Sequence, residues 1–316
     1  MVSKKKAGRA TGVKIPTGGK EEAQAKPLQA FDESSLRERA VLIHFTIGRW
    51  YGSGADMAVV EEIRQAKDAT GEIGAFTKRM MKRARLQEIN AVTNAARRYH
   101  KLMTLPWGDG GARLLSSDVF VEYKKKMTAY EQDFNAAVEN FLAQYPVFVK
   151  EEKKNLGALY RESDYPSAED MRFNFRFLVA IDVIPDSKDI RVKLSAEQAA
   201  EIRKDVEART HESLKAAVGS IYARIGDQLK EAKRKLDEGT VRVNMFSGMQ
   251  EVIDLLPKLN ILNDPDLNRL GREVQHDLLS VDVGALKEDT SMVKATGEKA
   301  AKLLKSLDLL QKKGAK

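Results

Sequence analysis

The stretch KRMMKRARLQEINAVTNAARRYHK, Lys78 to Lys101, holds eight Lys or Arg residues against a single acid, Glu88. Wound as a helix at about 100° per residue, Arg79, Arg83, Asn90, Arg97 and Lys101 fall within about 40° of one another. Ile89, Val92, Ala96, Tyr99 and Met103 fall on the opposite side. A cationic, amide-bearing stripe backed by an apolar one can track phosphates. Its guanidinium and ammonium groups neutralise charge, and such contacts fix position without reading sequence. The competing reading is a solvated helix face whose charges pair elsewhere, and the 46 acids of the chain can supply those partners.

The two ends point the same way as the stripe. Residues 1–30, with Lys4, Lys5 and Lys6, carry +5, and residues 301–316, with Lys312 and Lys313, carry +4. The total is +8, so the body is close to neutral at −1. Basic ends on a neutral body suit contact with nucleic acid or an acidic partner, and they also serve solubility. Trp107 in LPWGDGG follows the stripe, and Trp50 and Tyr51 precede GSGAD. Aromatics beside a basic face can stack on bases, or plug the edge of a core.

No other pattern selects a reaction. The absence of cysteine excludes disulfides, thiolate zinc sites and cysteine nucleophiles, and fits a reducing cytoplasm. His44, His100, His211 and His276 lack neighbours at metal-ligand spacing, and HESLK lacks the second His of H-E-x-x-H. TGGKEE has neither the spacing of a phosphate loop nor a strand before it. NDPDLN starts like a calcium loop, but Arg269 and Gln275 stand where its glycine and terminal glutamate belong. It reads instead as a helix start, with Asp264 or Asp266 as cap and Pro265 in the first turn. No catalytic residue, metal or cofactor is assigned, and the expectation is a non-catalytic protein.

The elements that would position these residues are mostly helices. Residues 1–30 read as a flexible basic arm, 31–160 as a helical region and 161–195 as a turn with a β-hairpin. A long helix with further helices follows over 196–283, and a C-terminal helix with a basic tail over 284–316. The apolar run Leu36–Trp50 fits helix or strand. Helices are predicted over 55–70 and 74–103, and a loop over 105–117. Phe120, Tyr123, Met127, Tyr130, Phe134, Ala137 and Phe141 form a heptad seam, predicting a helix over 117–145 that Pro146 perturbs or ends, then a short helix near 150–160. Alternation from Phe173 to Val183, and again over 190–194, predicts a hairpin around PDSKD as the only β structure. Ser195 with Gln198 makes a capping box opening a helix over 196–237, about 63 Å long at 1.5 Å per residue. Helices near 246–256, 265–280 and 285–312 complete the chain.

The fold class expected is therefore mainly α. The 117–145 and 196–237 helices would pair as an elongated, antiparallel coiled-coil-like arm, or their seams would pack against a second copy in a homo-oligomer. No apolar run approaches the roughly 18 residues of a membrane span.

Three segments carry a resemblance. RAVLIHFTIGRWYGSGAD (39–56), YPSAEDMRFNFRF (165–177) and LLPKLNILNDPDLNRL (255–270) resemble an uncharacterised family of bacterial and phage proteins often encoded near MoxR-type AAA ATPases. The similarity spans about 36–280 and leaves both basic ends outside. It implies no catalytic residues. It implies a phage or mobile-element setting and an AAA ATPase as a partner.

Overall fold

The computed structural model describes residues 33–189 and 193–315. In chain order its elements are α1 (Glu33–Arg39), β1 (Ala40–Gly48), β2 (Ser53–Ala55), α2 (Met57–Ala66), β3 (Thr77–Arg79), α3 (Gln87–Met103), β4 (Leu105–Pro106), β5 (Arg113–Ser116) and α4 (Phe120–Leu156). There follow α5 (Ala168–Arg172), β6 (Arg176–Asp182), α6 (Ala196–Asp237), α7 (Ser247–Leu259), α8 (Pro265–Val274), α9 (Val283–Glu288) and α10 (Thr290–Ala315). The fold is mainly α. An antiparallel sheet of order β4-β5-β1-β6 runs through its middle, and β2 and β3 form a separate pair.

Successive side chains of a strand point to opposite faces, and here that alternation separates two cores. Ile43 of β1 and Leu115 of β5 are buried with Ile89, Tyr123, Phe134 and Phe141, under α3 and α4. Their sequence neighbours Leu42 and Leu114 are buried on the other face with Leu36, Ile221 and Ile225, against α6 and its partners. The sheet is thus a wall shared by both halves.

Several elements follow from local sequence. The capping box is formed: Ser195 accepts from the Gln198 amide, Gln198 accepts from the Ser195 amide, and α6 runs its 42 residues from there. Ser167 caps α5. Asp264 caps α8, with Pro265 in its first turn. The α4 seam is buried at Tyr123, Met127, Phe134, Ala137 and Phe141.

Other elements differ from expectation, each for a traceable reason. Leu36–Trp50 divides: a short helix α1, then β1, whose β-branched and aromatic residues pair on both sides. The β structure is therefore more than one hairpin. Strand β6 pairs with β1 in the register Ile43↔Ile181 and Ile47↔Phe177, and the expected second hairpin strand falls largely on 190–192, outside the described residues. The 105–117 segment contains β4 and β5. Pro146 does not end α4, a helix of 37 residues that continues past it to Leu156. Pro146 lies on the exposed side, while Tyr145 and Phe148 are buried. Burying two aromatics at about 2 kcal/mol each offsets a loss of about 3 kcal/mol.

The two long helices belong to different cores. Helix α6 pairs with α10, with Gly226 against Leu307 and Gly297 beside Leu236, so the two run antiparallel. The seams that suggested a second copy are thus covered within the chain. The start of α6, residues 196–209, is the most exposed part of that helix, with Ala199 and Val206 half-buried, the rest exposed, and Glu207 accepting from Ser187 at 3.1 Å. Residues 301–310 are not free either, because Leu303, Leu307 and Leu310 are buried against α6. Among the described residues no helix is long and apolar enough to cross a membrane.

Candidate nucleic-acid interface

The segment Gly48-Arg-Trp-Tyr-Gly52 leaves β1 and turns sharply. Gly52 has φ 64°, and a Cβ there would lie 2.9 Å from that of Met81, so the position needs glycine. Its carbonyl accepts from the amides of Met80 at 2.8 Å and Met81 at 3.0 Å. These bonds fasten the turn to the chain following β3. Trp50 points inward, 6.2 Å from the Phe141 ring and 6.1 Å from that of Tyr145. Tyr51 points outward and is 61% exposed, with the Arg49 guanidinium 5.0 Å over its ring. Arg49 Nη1 donates to Asn90 Oδ1, which holds the guanidinium in place.

The same contacts explain why the predicted helix over 74–103 begins only at Gln87. Thr77–Arg79 is committed to the ladder with β2, Met80 and Met81 donate to Gly52, and Arg83–Leu86 is a single 3₁₀ turn. The five residues of the predicted stripe therefore do not share one helix. Arg79 is exposed on β3, opposite Ser53, and Arg83 is exposed in the 3₁₀ turn beside Lys82. Asn90 and Arg97 are half-buried, Asn90 holding Arg49 and Arg97 donating to the Ile47 carbonyl at 3.2 Å. Lys101 is exposed at the far end of α3. Four of the five border the turn after β1, brought there by tertiary contacts and not by helical spacing. The outward stripe of α3 is Asn94, Arg98 and Lys101, because its phase is set by burying Ile89, Thr93, Ala96, His100 and Met103. Lys312 is exposed near the end of α10, while Lys4, Lys5, Lys6 and the side chain of Lys313 lie outside the described residues.

Not every cation in the basic run faces solvent. Lys78 is 4% exposed, with Nζ 2.8 Å from Asp56, 2.5 Å from Asp164 and 3.1 Å from the Leu159 carbonyl. Burial disfavours its charge, but the hydrogen bonds to Asp164 and Asp56 outweigh this and raise its pKa. The Lys78 hydrogen bond, helped by the Val59 amide and Arg161, lowers that of Asp56. Asp56 also caps α2 and pairs with Arg161 at 3.0 Å. This cluster clamps the 157–164 segment onto β2 and β3. Arg85 is likewise engaged, 4.3 Å over Phe148 and 2.7 Å from Glu151.

The far end of α3 is structural. Its unpaired carbonyls are satisfied by Arg224, which donates to Lys101, Leu102 and Thr104 at 2.8, 2.9 and 2.6 Å, and by Arg113, which donates to Thr104 at 2.8 Å. His100 Nδ1 lies 2.7 Å from the Tyr123 hydroxyl, and burial, with Arg113 and Lys101 nearby, lowers its pKa to about 4. Trp107 is buried in the second core and plugs it.

Sequence reasoning passed over Arg49 and Arg176 here, and left Tyr51 open between stacking on a base and plugging a core edge. Arg49 and Tyr51 sit in a short RWYG segment whose inward and outward aromatics differ only by position. Arg176, exposed on β6, lies opposite Gly48 across the sheet and in the sequence has no visible link to the basic run. Among the described residues no three His, Asp or Glu side chains gather to hold a metal. Comparison with known proteins returned no match to a family model, to a curated protein or to a solved structure.

Proposed function

We propose that this protein binds nucleic acid without catalysing a reaction, contacting the sugar–phosphate backbone largely independently of sequence. The observation that carries this reading is that Arg79, Lys82 and Arg83 are exposed on one corner and make no ion pair among the described residues. Arg85, in the same turn, does have an acid. Unneutralised cations beside a guanidinium–tyrosine pair suit a phosphate chain, and the basic ends would add to the same field.

The test is a salt series of binding to single- and double-stranded DNA. It uses the intact protein, a form lacking residues 1–30 and 311–316, and Arg79→Glu/Arg83→Glu. The C-terminal cut falls after Leu310 because that residue is buried. Log affinity should fall linearly with log salt, at about 0.7–0.9 per phosphate neutralised. The charge reversal should weaken binding and flatten the slope. Equal slopes for wild type and charge reversal would remove the corner from the interface.

A second reading is supported by the largely exposed start of α6: an assembly or adaptor protein that self-associates or partners an AAA ATPase, as the resemblance implies. Stoichiometric co-purification with such an ATPase, or a dimer by sedimentation, without nucleic acid, would favour it.

A further inference from the structure

We infer that the ligand of this surface is a single strand whose bases stack on Tyr51 and Phe173, an inference that rests on the nucleic-acid reading above. Phe173 follows α5 and is 85% exposed, the most exposed phenylalanine among the described residues. It takes part in no ring contact there, whereas Phe175, two residues on, packs against Phe141 at 5.9 Å. Phe173 and Tyr51 leave from the same end of the sheet. Gly48 and Arg176 are cross-strand partners, and Phe173 and Tyr51 each lie three residues beyond that pair. Backbone reach then limits their separation to at most about 27 Å. At the roughly 3.4 Å per nucleotide of a stacked strand this is a run of at most about eight, which overlaps the range of about 4–16 for known single-strand sites.

Two cations at the same end of the sheet complete the argument. Arg49 lies over one face of Tyr51, and Arg176 is exposed at the β1–β6 end with no ion pair among the described residues. Arg172, beside Phe173, is bidentate to Glu139 and so does not add to the field. Exposed rings flanked by unneutralised guanidinium groups match a chain of alternating π-faces and phosphates. A duplex keeps its base faces stacked inside and offers only phosphates and groove edges. Only unpaired nucleotides can use Tyr51 and Phe173 together.

The experiment measures anisotropy of a labelled oligothymidylate of about twelve nucleotides and of a DNA duplex of equal length, with the full chain. The proteins are wild type, Tyr51→Ala, Tyr51→Phe, Phe173→Ala and Arg79→Glu/Arg83→Glu. Both aromatics are exposed, so circular dichroism should be unchanged. The expected result is tighter binding of the oligonucleotide than of the duplex. Each alanine variant should weaken oligonucleotide binding about 5- to 100-fold and leave duplex binding unchanged, and Tyr51→Phe should bind as wild type. Binding lost in the charge reversal but untouched in both alanine variants overturns the stacking inference and leaves the backbone reading standing. Duplex binding as tight as oligonucleotide binding also overturns the inference. Failure of the wild type to bind either probe overturns both.

Discussion

Arg224 of α6 donates to the carbonyl of Thr104, 120 residues away in sequence, at 2.6 Å. With the bonds to Lys101 and Leu102, one guanidinium closes the C-terminus of α3 from the opposite core. Arg113 finishes the job from β5. A helix C-terminus carries partial negative charge and open carbonyls, so two cations there satisfy both needs.

Arg224→Ala should therefore destabilise the protein by about 2–3 kcal/mol, since charge-assisted bonds are lost and partly buried carbonyls are left open. Urea unfolding at neutral pH measures it. A loss below about 0.5 kcal/mol would show that water replaces the guanidinium at no cost.

Lys78→Met should lower the melting temperature by on the order of 10 °C at neutral pH, because Asp56 and Asp164 are left facing each other. The pH dependence has a definite sign. In the wild type the Asp56 pKa is depressed, so its contribution is present above the usual carboxylate range and lost as pH falls through the folded value. The variant lacks the Lys78 bond that depresses Asp56, so the gap between variant and wild type should narrow on going from pH 7 to pH 3. Calorimetry at the two pH values tests this. A constant gap would mean that lost packing, not charge, is responsible.

His100 is buried neutral, with a pKa lowered to about 4, while the unfolded chain titrates near 6.5. The unfolded state then binds the extra proton first, so stability holds above about pH 6.5 and falls as pH drops toward 4, by roughly 3 kcal/mol. His100→Gln, which can still bond Tyr123, should lose that limb of the profile. Urea midpoints at pH 7, 5.5 and 4.5 measure it, and an identical fall in both proteins would assign the limb to other groups.

Asn90→Ala tests whether Arg49 must be held in place. The charge count is unchanged, so the salt slope of DNA binding should stay as in wild type while affinity falls about 2- to 10-fold, the cost of ordering one long side chain. A changed slope would mean that Arg49 has left the interface altogether.

Much of the helical content was legible because caps and long seams are local signals: the Ser195 box set the start of α6, and the spacing from Phe120 to Phe141 set the buried face of α4. The site was less legible. Helical spacing grouped Arg79 and Arg83 with Asn90, but Met80 and Met81 give their amides to Gly52, and nothing within six residues of either announces that bond. Lys78 and Arg79 are adjacent and alike in charge, yet strand alternation buries one and exposes the other. Strand β1 was ambiguous because its partners, β5 and β6, lie about 70 and 135 residues downstream.

Leu42 and Ile43 are adjacent in sequence, and each is anchored in a different core. Neither half can let go of β1 without opening the inner face of the other. The two should therefore melt as one cooperative unit, with the amides of β1 among the slowest to exchange with solvent. A ligand that grips the turn after β1 would stiffen the strand on which both halves depend.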